Sequence, residues 1–113
     1  MNRMKIIPRR HVKGKMNKHE QMYADILDAM LRAGTICAYH FESVRFTLAP
    51  NTTYTPDFMV VYDDRIELVE VKGWLQEDAN VKFKAVADKF PYFSWKMIRY
   101  KNKTEGWTTV REI

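Results

Sequence analysis

The stretch YTPDFMVVYDDRIELVEVKGW, residues 54–74, constrains the fold more than any other part of the chain. Two apolar runs flank Asp63 and Asp64, which is typical of a β-hairpin with a two-residue loop. This loop places Asp57 opposite Glu70, with Cβ atoms about 4.5–5.5 Å apart. Both faces are largely apolar, as in strands inside a sheet that is covered on two sides. The sequence therefore predicts an interior hairpin with two opposed carboxylates at one end.

The same register divides the side chains of the hairpin between two faces. The first face carries apolar residues at one end and charged residues at the other: Val61, Met59, Ile66 and Leu68, then Asp57, Glu70 and Lys72. The second face carries Phe58, Val60, Tyr62, Val69 and Val71. The charged residues thus share one face at one end of the hairpin.

The remaining pattern predicts two helices and four further strands. Helices are expected at residues 17–33, ending at Gly34, and at residues 79–90, with Asp78 as the N-cap and Pro91 as the stop. Strands are expected at residues 36–41, 44–48, 58–62, 65–71, 94–100 and 107–111, with APNTT as a turn. The predicted order is α-β-β-β-β-α-β-β, an α/β or α+β fold with a central mixed sheet flanked by helices.

The chain has 113 residues, the length of one domain, and its positive charge is concentrated at the start. Residues 1–19 contain seven basic side chains and no acidic one: Arg3, Lys5, Arg9, Arg10, Lys13, Lys15 and Lys18. We expect residues 1–15 to form a basic arm and residues 16–113 to form a single domain. The arm suits a polyanionic partner or a solubilising tail, and charge alone does not separate the two.

Several classes of protein are excluded by composition. No run of 18 apolar residues is present, so we expect no membrane span or membrane partner. The first residues lack the apolar segment of a secretory signal, and the single Cys37 allows no internal disulfide. The glycines form no phosphate-cradling pattern, so no nucleotide cofactor is expected. A cytoplasmic location is the default.

Opposed carboxylates need positive charge between them. Like charges directly opposite each other destabilise a sheet, and partial burial raises the pKa of one of them. A divalent cation resolves this conflict, and carboxylate oxygens, a backbone carbonyl and waters are the ligands that Mg²⁺ prefers. Lys72 would stand beside the metal, where it can orient a water or stabilise charge on a phosphate.

Glu20 is a candidate third carboxylate. It lies on the helical face of Ala24, Leu27 and Leu31, at the N-terminal end of the first predicted helix. If that helix covers the Met59 face of the hairpin, Glu20 reaches its acidic end. An exposed acid at the helix start is an equally good interpretation of Glu20 alone.

Glu20, Pro56-Asp57 and Glu70-Val71-Lys72 together resemble the PD-(D/E)XK nuclease superfamily. From residue 18 to residue 100, with YTPDF followed by EVKGW and a helix, the chain is most similar to phage endonuclease I type Holliday-junction resolvases. The resemblance implies a restriction-endonuclease-like core and metal-dependent hydrolysis of DNA phosphodiesters. It implies Mg²⁺, with Mn²⁺ as an alternative, and a homodimer that acts on branched DNA. If the gene belongs to a phage, the expected location is the cytoplasm of the host cell.

The resemblance also assigns roles to individual residues. Asp57 and Glu70 become the principal metal ligands, with the carbonyl of Val71 completing the site. Glu20 becomes an outer or second-metal ligand, and Lys72 becomes the catalytic lysine. DNA-binding residues are expected in the basic segment and on the second helix: Arg3, Lys5, Arg9, Arg10, Lys13, Lys15, Lys18, Lys82 and Lys84. For Lys82 and Lys84 a solvated helix face is an equally good interpretation. Two alternatives remain, a nuclease subunit directed to duplex DNA by a partner protein and a non-catalytic nucleic-acid-binding protein.

Overall fold

The computed structural model of the protein describes residues 3–6, 15–72 and 77–113, and for residues 3, 5, 6 and 77–79 it describes the backbone alone. The elements are β1 (Arg3–Ile6), α1 (Lys18–Ala33), β2 (Ala38–Phe41), β3 (Val44–Ala49), β4 (Thr52–Tyr54), β5 (Phe58–Val61), β6 (Ile66–Lys72), α2 (Glu77–Lys89), β7 (Ser94–Asn102) and β8 (Gly106–Glu112). The fold is α+β, with a mixed five-stranded sheet and two helices, as the sequence predicts.

The five-stranded sheet has the order β2-β5-β6-β7-β8, so the predicted hairpin of β5 and β6 lies inside it. All neighbours are antiparallel except β6 and β7, which are parallel and are connected through α2. The hairpin has the predicted register, with Met59 opposite Leu68 and Phe58 opposite Val69. The amide of Tyr62 donates to the carbonyl of Arg65 over 2.8 Å, which closes the two-residue loop.

Helix α1 begins and ends where its capping residues place it. The side chain of Asn17 accepts from the amide of Glu20, and the Glu20 carboxylate accepts from the amide of Asn17, which together form a capping box. At the other end Gly34 has φ of 79°, and the amide of Thr35 donates to the carbonyl of Met30. This is a Schellman motif, for which glycine is the favoured residue because it has no Cβ.

The prediction for Glu20 required helix α1 to cover the face of the hairpin that carries Met59. In the structure α1 covers the opposite face. Leu27 packs in a buried cluster with Phe58, Val60 and Val69, not against the Met59 face. Both faces of the hairpin are apolar, and packing of the whole sheet decides which face receives which helix.

The Met59 face is covered by α2 and by a second sheet of order β1-β3-β4. Phe46 from β3 is fully buried, and its ring centroid lies 4.7 Å from that of Phe90 and 5.1 Å from that of Trp95. The indole N–H of Trp95 donates to the carbonyl of Phe90 over 2.9 Å, which satisfies the one polar group of this buried ring. The five-stranded sheet is therefore covered on both faces, as predicted.

Three local predictions differ from the structure. The segment expected as a turn, APNTT, contains only a tight turn, with Asn51 at φ of 61°, after which β4 begins at Thr52. Residues 3–6 of the expected arm form strand β1, which pairs with β3. Helix α2 begins at Glu77, so Asp78 lies inside the helix and is not its N-cap. The observed order thus contains two more strands than the predicted one. Within the described ranges, no helix is long and apolar enough to span a membrane.

Candidate active site

Asp57 lies immediately before β5 and is fixed from two sides. Its Oδ2 atom accepts a 2.8 Å hydrogen bond from the amide of Val71 on β6. Its main-chain carbonyl accepts a 2.8 Å hydrogen bond from the amide of Glu42, which has φ of 49° in the connection between β2 and β3. The Asp57 side chain therefore leans across the open end of the hairpin ladder, which ends at the pair Phe58 and Val69.

Both carboxylate oxygens of Glu70 are engaged. Oε1 accepts a 2.5 Å hydrogen bond from the hydroxyl of Tyr54, at the end of β4. Oε2 lies 3.0 Å from Nζ of Lys72, and the two side chains are only 13% and 15% exposed. Because charged hydrogen bonds are stronger where water is excluded, this arrangement holds Glu70 in one orientation.

The electrostatic cost of the arrangement falls on Asp57. Burial raises the pKa of Asp57 well above its ordinary value, and the neighbouring charges of Glu70 and Glu20 raise it further. The hydrogen bond from Val71 and the charge of Lys72 lower the pKa, but they do not offset the burial. Two acidic groups and one lysine thus leave the site short of positive charge.

Burial, followed by the charge of Glu70 and the hydrogen bond to it, raises the pKa of Tyr54 as well. The phenol therefore stays protonated and remains a hydrogen-bond donor to Glu70. This contact with Glu70 places Tyr54 in the site.

Glu20 lies close enough to affect the site electrostatically, but it does not join Asp57 and Glu70 in one cluster. Its carboxylate accepts the 2.9 Å hydrogen bond of the capping box, on a helix that covers the other face of the sheet. Its charge raises the pKa values of both Asp57 and Glu42, and for Glu42 burial is the larger cause. Glu42, which was not predicted from the sequence, thus adds a fourth acidic residue at this end of the sheet.

The donors at the site match the type that Mg²⁺ prefers. Asp57 and Glu70 supply carboxylate oxygens. The amide and the carbonyl of one strand residue point towards the same neighbouring strand. Because the Val71 amide donates to Asp57, the Val71 carbonyl also points to the Asp57 side of β6. Over residues 3–6, 15–72 and 77–113, no group of three His, Cys, Asp or Glu residues is arranged to hold a metal ion. A metal ion bound to both Asp57 and Glu70 would compete with Lys72, whose Nζ atom lies 3.0 Å from Oε2 of Glu70.

The expected DNA-binding cations are placed in part. The side chains of Lys15, Lys18, Lys82 and Lys84 are exposed. Lys15 precedes α1, Lys18 is the first residue of α1, and Lys82 and Lys84 lie on α2. The backbone of Arg3 and Lys5 lies in β1, while Arg9, Arg10 and Lys13 lie outside the described residues.

Arg99 is a further cation on the face of the site, and it was not predicted from the sequence. It pairs in register with Lys72 across the parallel strands β6 and β7. Its neighbours in β7 alternate regularly, since Met97 packs on the α2 side and Ile98 on the α1 side. Arg99 therefore projects from the same face as Glu70 and Lys72. Alternation along β7 was readable from the sequence, but its register against β6 was not.

Comparison of the chain with protein-family models, with curated proteins and with solved structures finds no match. The function is therefore inferred from the geometry of the site and from the motif that it contains.

Proposed function

We propose that the protein is a metal-dependent nuclease that hydrolyses phosphodiester bonds of DNA. The observation that supports this most is that Asp57, Glu70 and Lys72 lie together at the open end of the β5–β6 hairpin, with Asp57 hydrogen-bonded to the Val71 amide between Glu70 and Lys72. Two partly buried carboxylates close enough for the charge of Glu70 to raise the pKa of Asp57 cost stability, which a purely structural role does not explain. A divalent cation turns this conflict into a binding site.

The ligands in this proposal are Asp57, Glu70 and the carbonyl of Val71, with Mg²⁺ as the ion and Mn²⁺ as an alternative. The bound ion would polarise a phosphate oxygen and lower the pKa of a bound water. Glu70 is oriented for this task by Tyr54. Lys72, once released from Glu70, would orient the attacking water and stabilise charge on the phosphate. Glu20 would act from outside this set, as an outer ligand or as a ligand of a second ion.

The class of DNA rests on the resemblance of residues 18–100 to endonuclease I type resolvases. We propose branched DNA such as a four-way junction as the preferred substrate and a homodimer as the active form. A two-fold symmetric junction requires two cuts, which a closed dimer with two sites can make.

Incubation of the purified protein with Mg²⁺ and labelled four-way junction, linear duplex and single strand tests this function. We expect cleavage that requires the metal and is fastest on the junction. Asp57→Asn should abolish cleavage, whereas Asp64→Asn, which removes an exposed carboxylate from the turn at the other end of the hairpin, should not. Failure of the wild-type protein to cut any of the three DNAs with Mg²⁺ or Mn²⁺ would refute the nuclease proposal.

Two measurements test the substrate class and the assembly separately from the chemistry. Light scattering at micromolar concentration should give the mass of a dimer. Binding to the junction should survive competition by an equal mass of unlabelled duplex at moderate salt, where non-specific phosphate contacts are screened. A monomer that cuts junction and duplex equally well would instead favour a nuclease subunit that depends on a partner for targeting.

A further inference from the structure

The face that carries the site has an ordered arrangement of charge from one strand to the next. Asp57 precedes β5, Glu70 and Lys72 lie on β6, and Arg99 lies on β7. Adjacent strands are about 4.8 Å apart. Across the sheet, the charge therefore changes from negative to positive over a distance of two strands.

The side chain of Arg99 takes part in no ion pair or hydrogen bond with the described residues, although its backbone is paired in the sheet with β6 and β8. The ion pairs there engage Arg65, Lys72, Lys96 and Lys101, each with a carboxylate. Lys96, the other partly buried cation of β7, projects from the opposite face and lies 3.4 Å from the buried Glu67. Arg99 is thus a partly buried residue whose guanidinium donors have no acceptor among the described side chains, on the same face as Glu70 and Lys72.

We propose that Arg99 binds a backbone phosphate of the nucleic acid, next to the phosphate that lies at Asp57, Glu70 and Lys72. The proposal rests on the proposed function and deepens it, since it sets the path of the substrate strand across β6 towards β7. Guanidinium is the group best suited to this task, because its planar fork can donate two parallel hydrogen bonds to one phosphate.

The location of the contact decides its kinetic effect. A phosphate beside the reacting one keeps its charge throughout the reaction, so Arg99 binds substrate and transition state equally well. Removal of such uniform binding raises KM and leaves kcat unchanged. A structural role for Arg99 would not produce this split.

The test compares Arg99→Ala, Arg99→Lys and Arg99→Gln with Arg65→Ala in Mg²⁺-dependent cleavage and in DNA binding at several salt concentrations. Arg65→Ala removes the same charge from the hairpin turn, at the other end of β6. For Arg99→Ala we expect KM to rise tenfold or more, with kcat within about twofold of wild type. The slope of log K against log salt should shrink by about 0.9 for one lost duplex contact.

Arg99→Lys should retain the salt slope but regain only part of the affinity, because an ammonium lacks the fork. Arg99→Gln, which removes the charge with a smaller change in shape, should show the same reduced slope of log K against log salt even if Arg99→Ala does not fold. If the Arg99 variants match Arg65→Ala in KM and slope while the wild-type protein cuts DNA, the role of Arg99 is refuted and the nuclease function stands. If the wild-type protein neither cuts nor binds DNA, both proposals fail.

Discussion

The hydroxyl of Tyr54 donates a 2.5 Å hydrogen bond to Oε1 of Glu70 and so connects the end of the smaller sheet to the centre of the larger one. Tyr54 itself is buried and packs in the cluster formed by β3, β4 and α2. The orientation of a candidate metal ligand therefore depends on the packing of the second sheet. An equally short bond from Tyr39 to Asp28 joins β2 to α1, away from the site, and provides a matched comparison.

Tyr54→Phe should weaken metal binding and cleavage while leaving the core filled. Loss of the hydroxyl leaves Oε1 of Glu70 without its donor, and we expect about a tenfold loss in the affinity for Mn²⁺, measured by titration calorimetry. Tyr39→Phe removes a comparable hydrogen bond and should leave Mn²⁺ affinity unchanged. Equal effects of the two substitutions on Mn²⁺ affinity would show that Tyr54 acts only through stability.

Asp57→Asn should stabilise the metal-free protein at neutral and alkaline pH. The pKa of Asp57 is raised by burial and by Glu70, so the folded state binds a proton that the unfolded chain releases above its ordinary pKa of about 3.9. Stability of the wild type therefore falls as pH rises from that value through the folded pKa. Asparagine does not ionise and can still accept from the Val71 amide, so the stability of the variant should not decrease over this pH range for this reason.

Thermal unfolding in EDTA at several pH values measures the effect of Asp57→Asn. We expect the wild type and the variant to be similar near pH 4 and the variant to be more stable at pH 8 by about 1–2 kcal/mol. Mg²⁺ should then stabilise the wild type but not the variant. A variant that is less stable than the wild type at pH 8 would contradict the proposed repulsion between the Asp57 and Glu70 carboxylates.

Lys72→Ala should abolish cleavage and raise, rather than lower, the affinity for metal. The ammonium occupies Oε2 of Glu70 in the metal-free protein and competes with a cation for it. Its removal leaves a buried carboxylate without its ion pair, so stability in EDTA should fall by about 3 kcal/mol. Mn²⁺ titration and unfolding in EDTA check the two effects. Weaker Mn²⁺ binding would mean that Lys72 supports the site instead of competing for it.

Glu20→Gln separates the helix-capping role of Glu20 from its effect on the site. Glutamine also serves at this position of a capping box, so unfolding of the variant should match the wild type. If the charge acts on the metal site, cleavage should fall tenfold or more, about 1.4 kcal/mol of barrier. Glu20→Ala should lose both stability and cleavage. Unchanged cleavage by Glu20→Gln would leave Glu20 as a capping residue only.

Local signals in the sequence predicted the elements on which the site depends. Asn17 and Gly34 mark the two ends of α1, because each residue type satisfies a specific need of a helix end. The hairpin register follows from a loop of two residues between alternating strands, and this register brings Asp57 to Glu70. These features involve residues that are close in sequence.

What the sequence did not predict depends on residues that are distant in sequence. The face of the sheet that α1 covers cannot be deduced from two apolar faces. The sequence therefore could not decide whether Glu20 joins the acidic cluster, and in the structure Glu20 lies beside it. The alignment of Arg99 with Lys72 depends on how β7 pairs with β6 after the connection through α2. Strand β4 has only three residues, too few for a recognisable pattern, so neither the strand nor the contact of its last residue, Tyr54, with Glu70 could be predicted.

The ion pair of Lys72 and Glu70 has a consequence for whether the chain folds before or after it binds a metal ion. In many small metalloproteins the ligands repel one another until the ion arrives, so synthesis without the ion yields an unfolded chain. Here an ammonium group of the protein itself stands in for part of the missing charge. If the site binds a metal ion as proposed, the chain would complete its fold before it meets a cation, and a cell short of the ion would accumulate a folded, inactive protein that later loading could switch on.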